Sequence, residues 1–429
     1  MRKCVVVSQR GVIRPHVLSK QLGGLRVRRL GTVLLFLVAG QLSLAPAPTW
    51  AEPIKFTDLI VFGDSLSDIG NVYQVSTLKI SDNTGDLYDG KANFPGPKPP
   101  SLSGNFLVNG SLNSNYNYTQ KRFTDGADTT PKTATPGVWV EHLAAKLNLA
   151  PLKSSADSGH DFAFGGAETN GGQTTIPFTG GAGATTVTSS TVVDNVGRQV
   201  DNFLATSVGD GRADNRALYV VWGGGNDLIN TADAVIKGTL TADKIGKAQE
   251  AAIANITSYI QTLYDVGARY FLWPNLPPIE SVPRYKAAAQ NVRDKLGSAT
   301  SAFSTDEGTA IKALATKNAG LTIVPVDVLS LFNDVLKNPA DVKYKFENID
   351  TPAMGQANVN PDKYVLWDNI HPTTRTHELI GGAAYNAVAM ALCVPEPNAL
   401  RLVVVAIILA MTARQRRTDL NLSSSHGNT

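Results

Sequence analysis

The sequence predicts an α/β protein built on a largely parallel sheet, and three observations carry that reading. Short apolar runs at 59–62, 218–222, 270–273 and 321–326 alternate with longer segments of helical periodicity. Each run is continuously apolar rather than alternating, the pattern of a strand covered on both faces. Two of the runs end abruptly in small, turn-forming clusters: Gly63-Asp64-Ser65 after the first and Gly223-Gly224-Gly225-Asn226-Asp227 after the second. In open α/β sheets, ligands bind at the carboxyl ends of such strands.

Taken in order, the 429 residues begin with a strongly basic leader: residues 1–51 hold eight Lys/Arg and no acid. Arg26, Arg28 and Arg29 precede an apolar run to Ala39, and small residues lead to Thr49-Trp50-Ala51. These are the three parts of a secretory signal, with cleavage expected after Ala51. The body then runs over 52–394. It contains 27 Lys/Arg against 34 Asp/Glu, so it is acidic although the whole chain is +3. A phosphate backbone requires the opposite sign, which argues against a nucleic-acid partner. Only Cys4 and Cys393 are present, so no internal disulfide is expected within the body.

Within the body, the Asn-, Gly-, Ser- and Pro-rich stretch 71–135 reads as a long insertion beside the first strand. Residues 171–190 (GGQTTIPFTGGAGATTVTSS) read as a second low-complexity loop. Helices are expected over 241–266, with Ile245, Ala252, Ile256, Ile260 and Leu263 at helical spacing and Gly267 as the stop, and over 373–392 after Pro372. The final segment, 395–429, opens on Pro395-Glu396-Pro397. It continues with an apolar stretch to Ala413 and closes on Arg414, Arg416 and Arg417. An apolar stretch held by positive charge has the character of a stop-transfer element.

Four places in the body could carry chemistry. In Gly63-Asp64-Ser65-Leu66-Ser67-Asp68, a serine stands at a strand end and at the start of a helix. It fits a nucleophile beside backbone N–H groups or a helix cap. Asp161-Phe-Ala-Phe-Gly165-Gly166 ends in paired glycines, which allow close backbone approach to a ligand or simply a tight turn. Asn226, behind three glycines, can present an amide to an oxyanion or form an Asx turn; no Lys-Ser/Thr follows the glycines, so a phosphate loop is excluded. In Trp367-Asp368-Asn369-Ile370-His371-Pro372, a carboxylate stands three residues from a histidine, where it can hold the ring of a base or serve structure alone. His142, His160 and His377 have no such setting and read as surface or packing residues.

Together and in this order, the four segments resemble the GDSL, or SGNH, hydrolase family. Arg122-Phe-Thr-Asp-Gly126, Val138-Trp-Val-Glu-His-Leu-Ala-Ala145 and Trp273-Pro-Asn-Leu-Pro-Pro278 look like its lipase/esterase branch, and the resemblance spans about residues 57–392. It implies a flavodoxin-like three-layer α/β/α sandwich and a serine esterase or lipase without a cofactor. Ser65 would be the nucleophile, His371 the general base and Asp368 its orienting carboxylate. The backbone N–H groups of Ser65 and Gly166 (Gly165 being the alternative) and the Asn226 amide would form the oxyanion hole. Asp64 and Asp68 are assigned to structure, shaping the turn and capping, and Ser67 to helix capping. The partner is then an ester substrate: a lipid, a short-chain ester or an acylated polysaccharide. The segment 395–429 resembles a PEP-CTERM sorting signal, which implies an exosortase as processing partner and an exported, surface-associated or transiently anchored protein. A noncatalytic binding protein on the same scaffold is the alternative.

Overall fold

In the computed structural model, residues 54–72, 80–81, 87–88, 122–125, 137–182, 185–208, 211–354, 356 and 358–393 are described. The chain divides into a body, Lys55–Ala389, and a second unit made of Met1–Ile54 and Met390–Thr429. The leader, most of the 71–135 insertion and the 395–429 segment lie outside the described residues. No helix among the described residues is long and apolar enough to cross a membrane.

The body is an α/β structure with a mainly parallel central sheet. Strands β1 (Leu59–Gly63), β4 (Leu218–Trp222), β5 (Tyr270–Pro274) and β6 (Thr322–Val326) lie side by side in that order, all parallel. The segment 160–164 extends the sheet beyond β1. Val61 N–H donates to the His160 carbonyl at 2.9 Å, Phe162 N–H to Val61 at 2.8 Å and Phe164 N–H to Gly63 at 3.2 Å. The central sheet therefore takes its second extended segment, 160–164, on one side of β1 and its third, β4, on the other. This is the doubly wound order, with its switch point between β1 and β4.

The continuous apolar runs are explained by two covered faces. Ile60, Phe62, Tyr219, Val221, Phe271 and Trp273 form one core with Val200 and Phe203 of α2 (Val196–Ser207), Ile256 and Ile260 of α4 (Lys244–Asp265) and Phe303 of α5 (Gln290–Lys317). On the opposite face, Trp222 meets Trp139 of α1 (Trp139–Lys146) edge to face at 5.1 Å. Helix α7 (Thr374–Cys393) closes on α1 so tightly that a Cβ on Gly381 would lie 2.8 Å from the Trp139 carbonyl oxygen. Helix on sheet on helix gives three layers. Two further helices follow strands: α3 (Gly225–Ile236) after β4 and α6 (Val328–Lys337) after β6.

One expectation is overturned. Most of 171–190 is not a loop but an antiparallel hairpin, β2 (Gln173–Ala182) paired with β3 (Thr185–Asp194) from Gln173–Asp194 to Ala182–Thr185. Glycine and serine made the stretch look like a connector, but its threonines and valines are β-branched and favour extended backbone. The polar side chains hide the alternation that normally announces a strand.

Candidate functional site

The site forms where the switch point predicts it, at the carboxyl ends of β1 and β4. After Gly63 the chain makes a tight turn in which Ser67 and Asp68 N–H groups return to the Asp64 carbonyl, and Leu66 N–H donates to Asp64 Oδ1 at 3.0 Å. Ser65 sits at the apex and is buried. Gln199 of α2 clamps the last peptide of β1, accepting from Gly63 N–H at 2.8 Å and donating to its carbonyl at 2.8 Å.

Across the chain, the segment before α7 folds back on itself, with Trp367 N–H donating to the His371 carbonyl at 2.7 Å. Asp368 Oδ1 accepts from the Ile370 and His371 N–H groups, both at 2.7 Å, which fixes the carboxylate. Its Oδ2 lies 2.7 Å from His371 Nδ1, and His371 Nε2 lies 2.8 Å from Ser65 Oγ. With Nδ1–H donating to the carboxylate, Nε2 is left to accept the serine proton, the arrangement a base requires. All three side chains are buried, and the low dielectric around them strengthens the hydrogen bonds of the relay.

The remaining candidates converge on the same place. The Gly165 N–H is taken by Asp68 Oδ2 at 2.9 Å, whereas the Gly166 N–H meets no acceptor among the described residues. That difference separates the two glycines. Gly166 has φ +80°, a conformation glycine adopts without strain, and a Cβ there would lie 2.1 Å from Ile176 Cδ1. Asn226 stands in the first turn of α3 behind Gly224 at φ +105° and donates to the Ala167 carbonyl at 2.9 Å. Ser65, Gly166, Asn226 and His371 all line one cleft of about 370 Å³.

Several positioning residues were not visible in the sequence. Thr124 Oγ1 donates to the Pro372 carbonyl at 2.9 Å, Asp125 Oδ1 accepts from Thr374 N–H, and the Phe123 ring lies 5.2 Å from the His371 ring. The segment 122–125 thus braces the histidine loop from almost 250 residues away. Asp227 accepts from Thr169 N–H at 3.0 Å and Thr169 Oγ1 at 2.7 Å, tying α3 to the glycine turn. Asn71 Nδ2 bridges the Asp161 and Ala163 carbonyls at 2.8 and 2.9 Å. In the sequence, 122–126 stood out only as a stretch resembling the family and Asp227 only as part of the glycine cluster, with none of these contacts legible.

The capping assignment at Ser67 is corrected. Its hydroxyl accepts from Trp139 Nε1 at 3.1 Å and so joins the turn to α1. Asp68 caps, as expected, accepting from the N–H groups of Gly70, Asn71 and Val72. Asp64 does shape the turn, as expected.

Burial governs the acids around the site. Desolvation pushes Asp64 up to about 6, opposed by the Leu66 N–H. It likewise pushes Asp68 up to about 6 against the N–H donors of Gly165, Gly70, Val72 and Asn71, and Asp227 up to about 6 against Thr169. No cluster of His, Cys, Asp and Glu able to hold a metal occurs among the described residues. The arrangement, a serine hydroxyl on an oriented imidazole beside preorganised donors, is suited to acyl transfer.

Comparisons with known proteins agree with the geometry. A family model described as GDSL-like Lipase/Acylhydrolase matches residues 59–383. The GDSL esterase/lipase At5g42170 of Arabidopsis thaliana is 23% identical over 354 residues, covering 76% of this chain and 84% of the plant protein. Esterase EstA of Pseudomonas aeruginosa is 27% identical over 366 residues, covering 80% of this chain; the match spans about half of EstA, 48%. Among solved structures, the native M. smegmatis aryl esterase aligns with TM-score 0.34 and 12% identity over 78% of this chain and 100% of that one, a score that adds nothing to the strand order described above. With a family match that covers the whole sheet and every segment of the cleft, the chain belongs to the GDSL-like Lipase/Acylhydrolase family of ester-bond hydrolases.

Proposed function

We propose that the protein hydrolyses carboxylic esters through an acyl-enzyme formed on Ser65. His371 Nε2 takes the Ser65 proton as Oγ attacks the ester carbonyl, and the new C–O bond leaves a tetrahedral oxyanion. The Ser65 and Gly166 N–H groups and the Asn226 amide stabilise that charge; one such donor is worth about 3–4 kcal/mol. Imidazolium formed at His371 is held by Asp368, and its proton passes to the departing alkoxide as the ester C–O bond breaks. Water, deprotonated by the same nitrogen, then releases the acid and restores Ser65. The observation that carries this reading is the unbroken run of hydrogen bonds from Asp368 through His371 to Ser65 at the sheet's switch point.

Turnover of p-nitrophenyl esters by the purified protein and by its Ser65→Ala variant tests it. Equal turnover by the two proteins would sink the proposal. For location, the basic, apolar and small-residue parts of 1–51 support export with cleavage after Ala51, and 395–429 supports sorting by an exosortase to the cell surface. N-terminal sequencing of the protein recovered outside the cell should begin at Glu52.

A further inference from the structure

The hairpin β2–β3 takes no part in the relay, yet it reaches the glycine turn beside it. Ala167 N–H donates to the Phe164 carbonyl at 3.1 Å, and of the two residues between, only Gly166 has positive φ, +80°. Phe164–Ala167 is therefore a type II turn, and the Gly166 N–H belongs to its central peptide. A type I turn differs by about a half-rotation of that one peptide, which would carry the N–H to the opposite side.

Little in the backbone itself resists such a rotation. The peptides on either side are fixed, Gly165 N–H by Asp68 Oδ2 at 2.9 Å and the Ala167 carbonyl by the Asn226 amide at 2.9 Å. The central peptide has no hydrogen-bond partner on its N–H or its carbonyl among the described residues. It also lies between two glycines, whose backbone is the least restricted of any residue. Packing holds it instead. A Cβ on Gly165 would lie 2.2 Å from Phe123 Cζ, and one on Gly166 2.1 Å from Ile176 Cδ1 and 2.9 Å from its Cγ1. A side chain thus lies against each bare α-carbon: Phe123, which also neighbours the His371 ring, and Ile176 of β2. Asn195, the residue after β3, keeps Ile176 in register with the turn. Its Oδ1 accepts from Glu168 N–H at 3.0 Å and Thr174 Oγ1 at 2.8 Å, and its amide donates to Asn170 Oδ1 at 2.8 Å.

Resting on the esterase reading above, we propose that Ile176 is a positioning residue for the oxyanion. It holds the Gly165–Gly166 peptide in the type II orientation, the one in which the Gly166 N–H serves the transition state. The hairpin is then a clamp on one hydrogen-bond donor, fastened at its base by Asn195.

The test is kcat and KM for p-nitrophenyl butyrate with wild type, Ile176→Ala, Ile176→Leu and Ser65→Ala. Ile176→Ala should lower kcat about tenfold or more, toward the 10^2–10^3 that loss of a whole oxyanion donor costs, with KM within about threefold. Ile176→Leu, which keeps δ-carbons, should stay within about twofold of wild type. If the alanine variant does not fold, judged by its thermal melt, Ile176→Val takes its place. It removes Cδ1 alone, and kcat should then fall about three- to fourfold, the factor carried by one buried methylene. An unchanged kcat, a loss confined to KM, or equal losses in the leucine and alanine variants overturns the proposal, while inactivity of Ser65→Ala leaves the esterase reading standing. If instead Ser65→Ala turns over esters as wild type does, the esterase reading falls and the amide signal of Gly166 in protein labelled with 15N-glycine decides the clamp. A single sharp signal in wild type that doubles or broadens in Ile176→Ala supports it; the same signal in both overturns it.

Discussion

His371 and His377 lie six residues apart, at the foot and in the first turns of α7, and both are buried. Their surroundings are opposite. His371 has a carboxylate 2.7 Å from one nitrogen and a hydroxyl 2.8 Å from the other. His377 has the Trp139 backbone N–H donating to Nδ1 at 3.3 Å, and its Nε2 has no partner among the described residues. Burial, with His142 and His371 adding to it, holds the His377 ring well below its ordinary range, so it stays neutral. The contrast teaches that burial alone makes a histidine inert. What prepares one for proton transfer is a fixed anion on one side and a proton source on the other.

Substitutions can break this contrast or sharpen it. The largest effect is expected at the relay itself: His371→Ala or Ser65→Ala should each lower kcat by about a million-fold, measured with p-nitrophenyl butyrate. Asp368→Asn comes next. It keeps the loop but presents the wrong partner to Nδ1, and kcat should fall about 10^4-fold with little change in KM. Asn226→Ala should cost about 10^2–10^3 in kcat, because the oxyanion loses one donor. If Asn226→Ala raises KM and spares kcat, the amide serves binding rather than the transition state.

The smallest effect on rate belongs to His377→Gln, which should keep kcat within about threefold and act on stability instead. Here the sign follows from proton binding. Below about 6.5 the unfolded chain protonates this histidine while the native ring stays neutral, so its contribution to stability is lost as pH falls. The glutamine variant lacks that loss. Wild type should therefore hold its advantage above pH 6.5 and surrender it at up to about 1.4 kcal/mol per pH unit below, read from urea melts of the two proteins. Asp64, Asp68 and Asp227 act in the opposite direction, since their raised values mean that the native state takes up protons first as pH falls from neutrality toward 4. They are common to both proteins and cancel in the difference.

What could be read in the sequence had local causes. A strand covered on both faces must be apolar throughout, so β1, β4, β5 and β6 stood out, and the turn clusters marked their carboxyl ends. The hairpin β2–β3 did not stand out, because threonine supplies extended backbone without a hydrophobic alternation. Ser67 was misassigned because a hydroxyl beside a helix start fits a cap equally well, and its true partner, Trp139, lies 72 residues on. The braces from Thr124 and Asp125 to the histidine loop were hidden for the same reason: nothing within either segment specifies a contact so distant in the chain.

The separation of Ser65 and His371 by 306 residues has a consequence for the order in which the protein comes into being. On the proposed roles, a chain extending from its N-terminal end presents the serine, the glycine turn and Asn226 long before the last segment exists. A serine hydroxyl without its base is a poor nucleophile. On those roles the growing polypeptide carries a serine without its base, and Ser65 gains a partner able to take its proton only when residues 366–371 arrive and the segment 122–125 fastens them beside it.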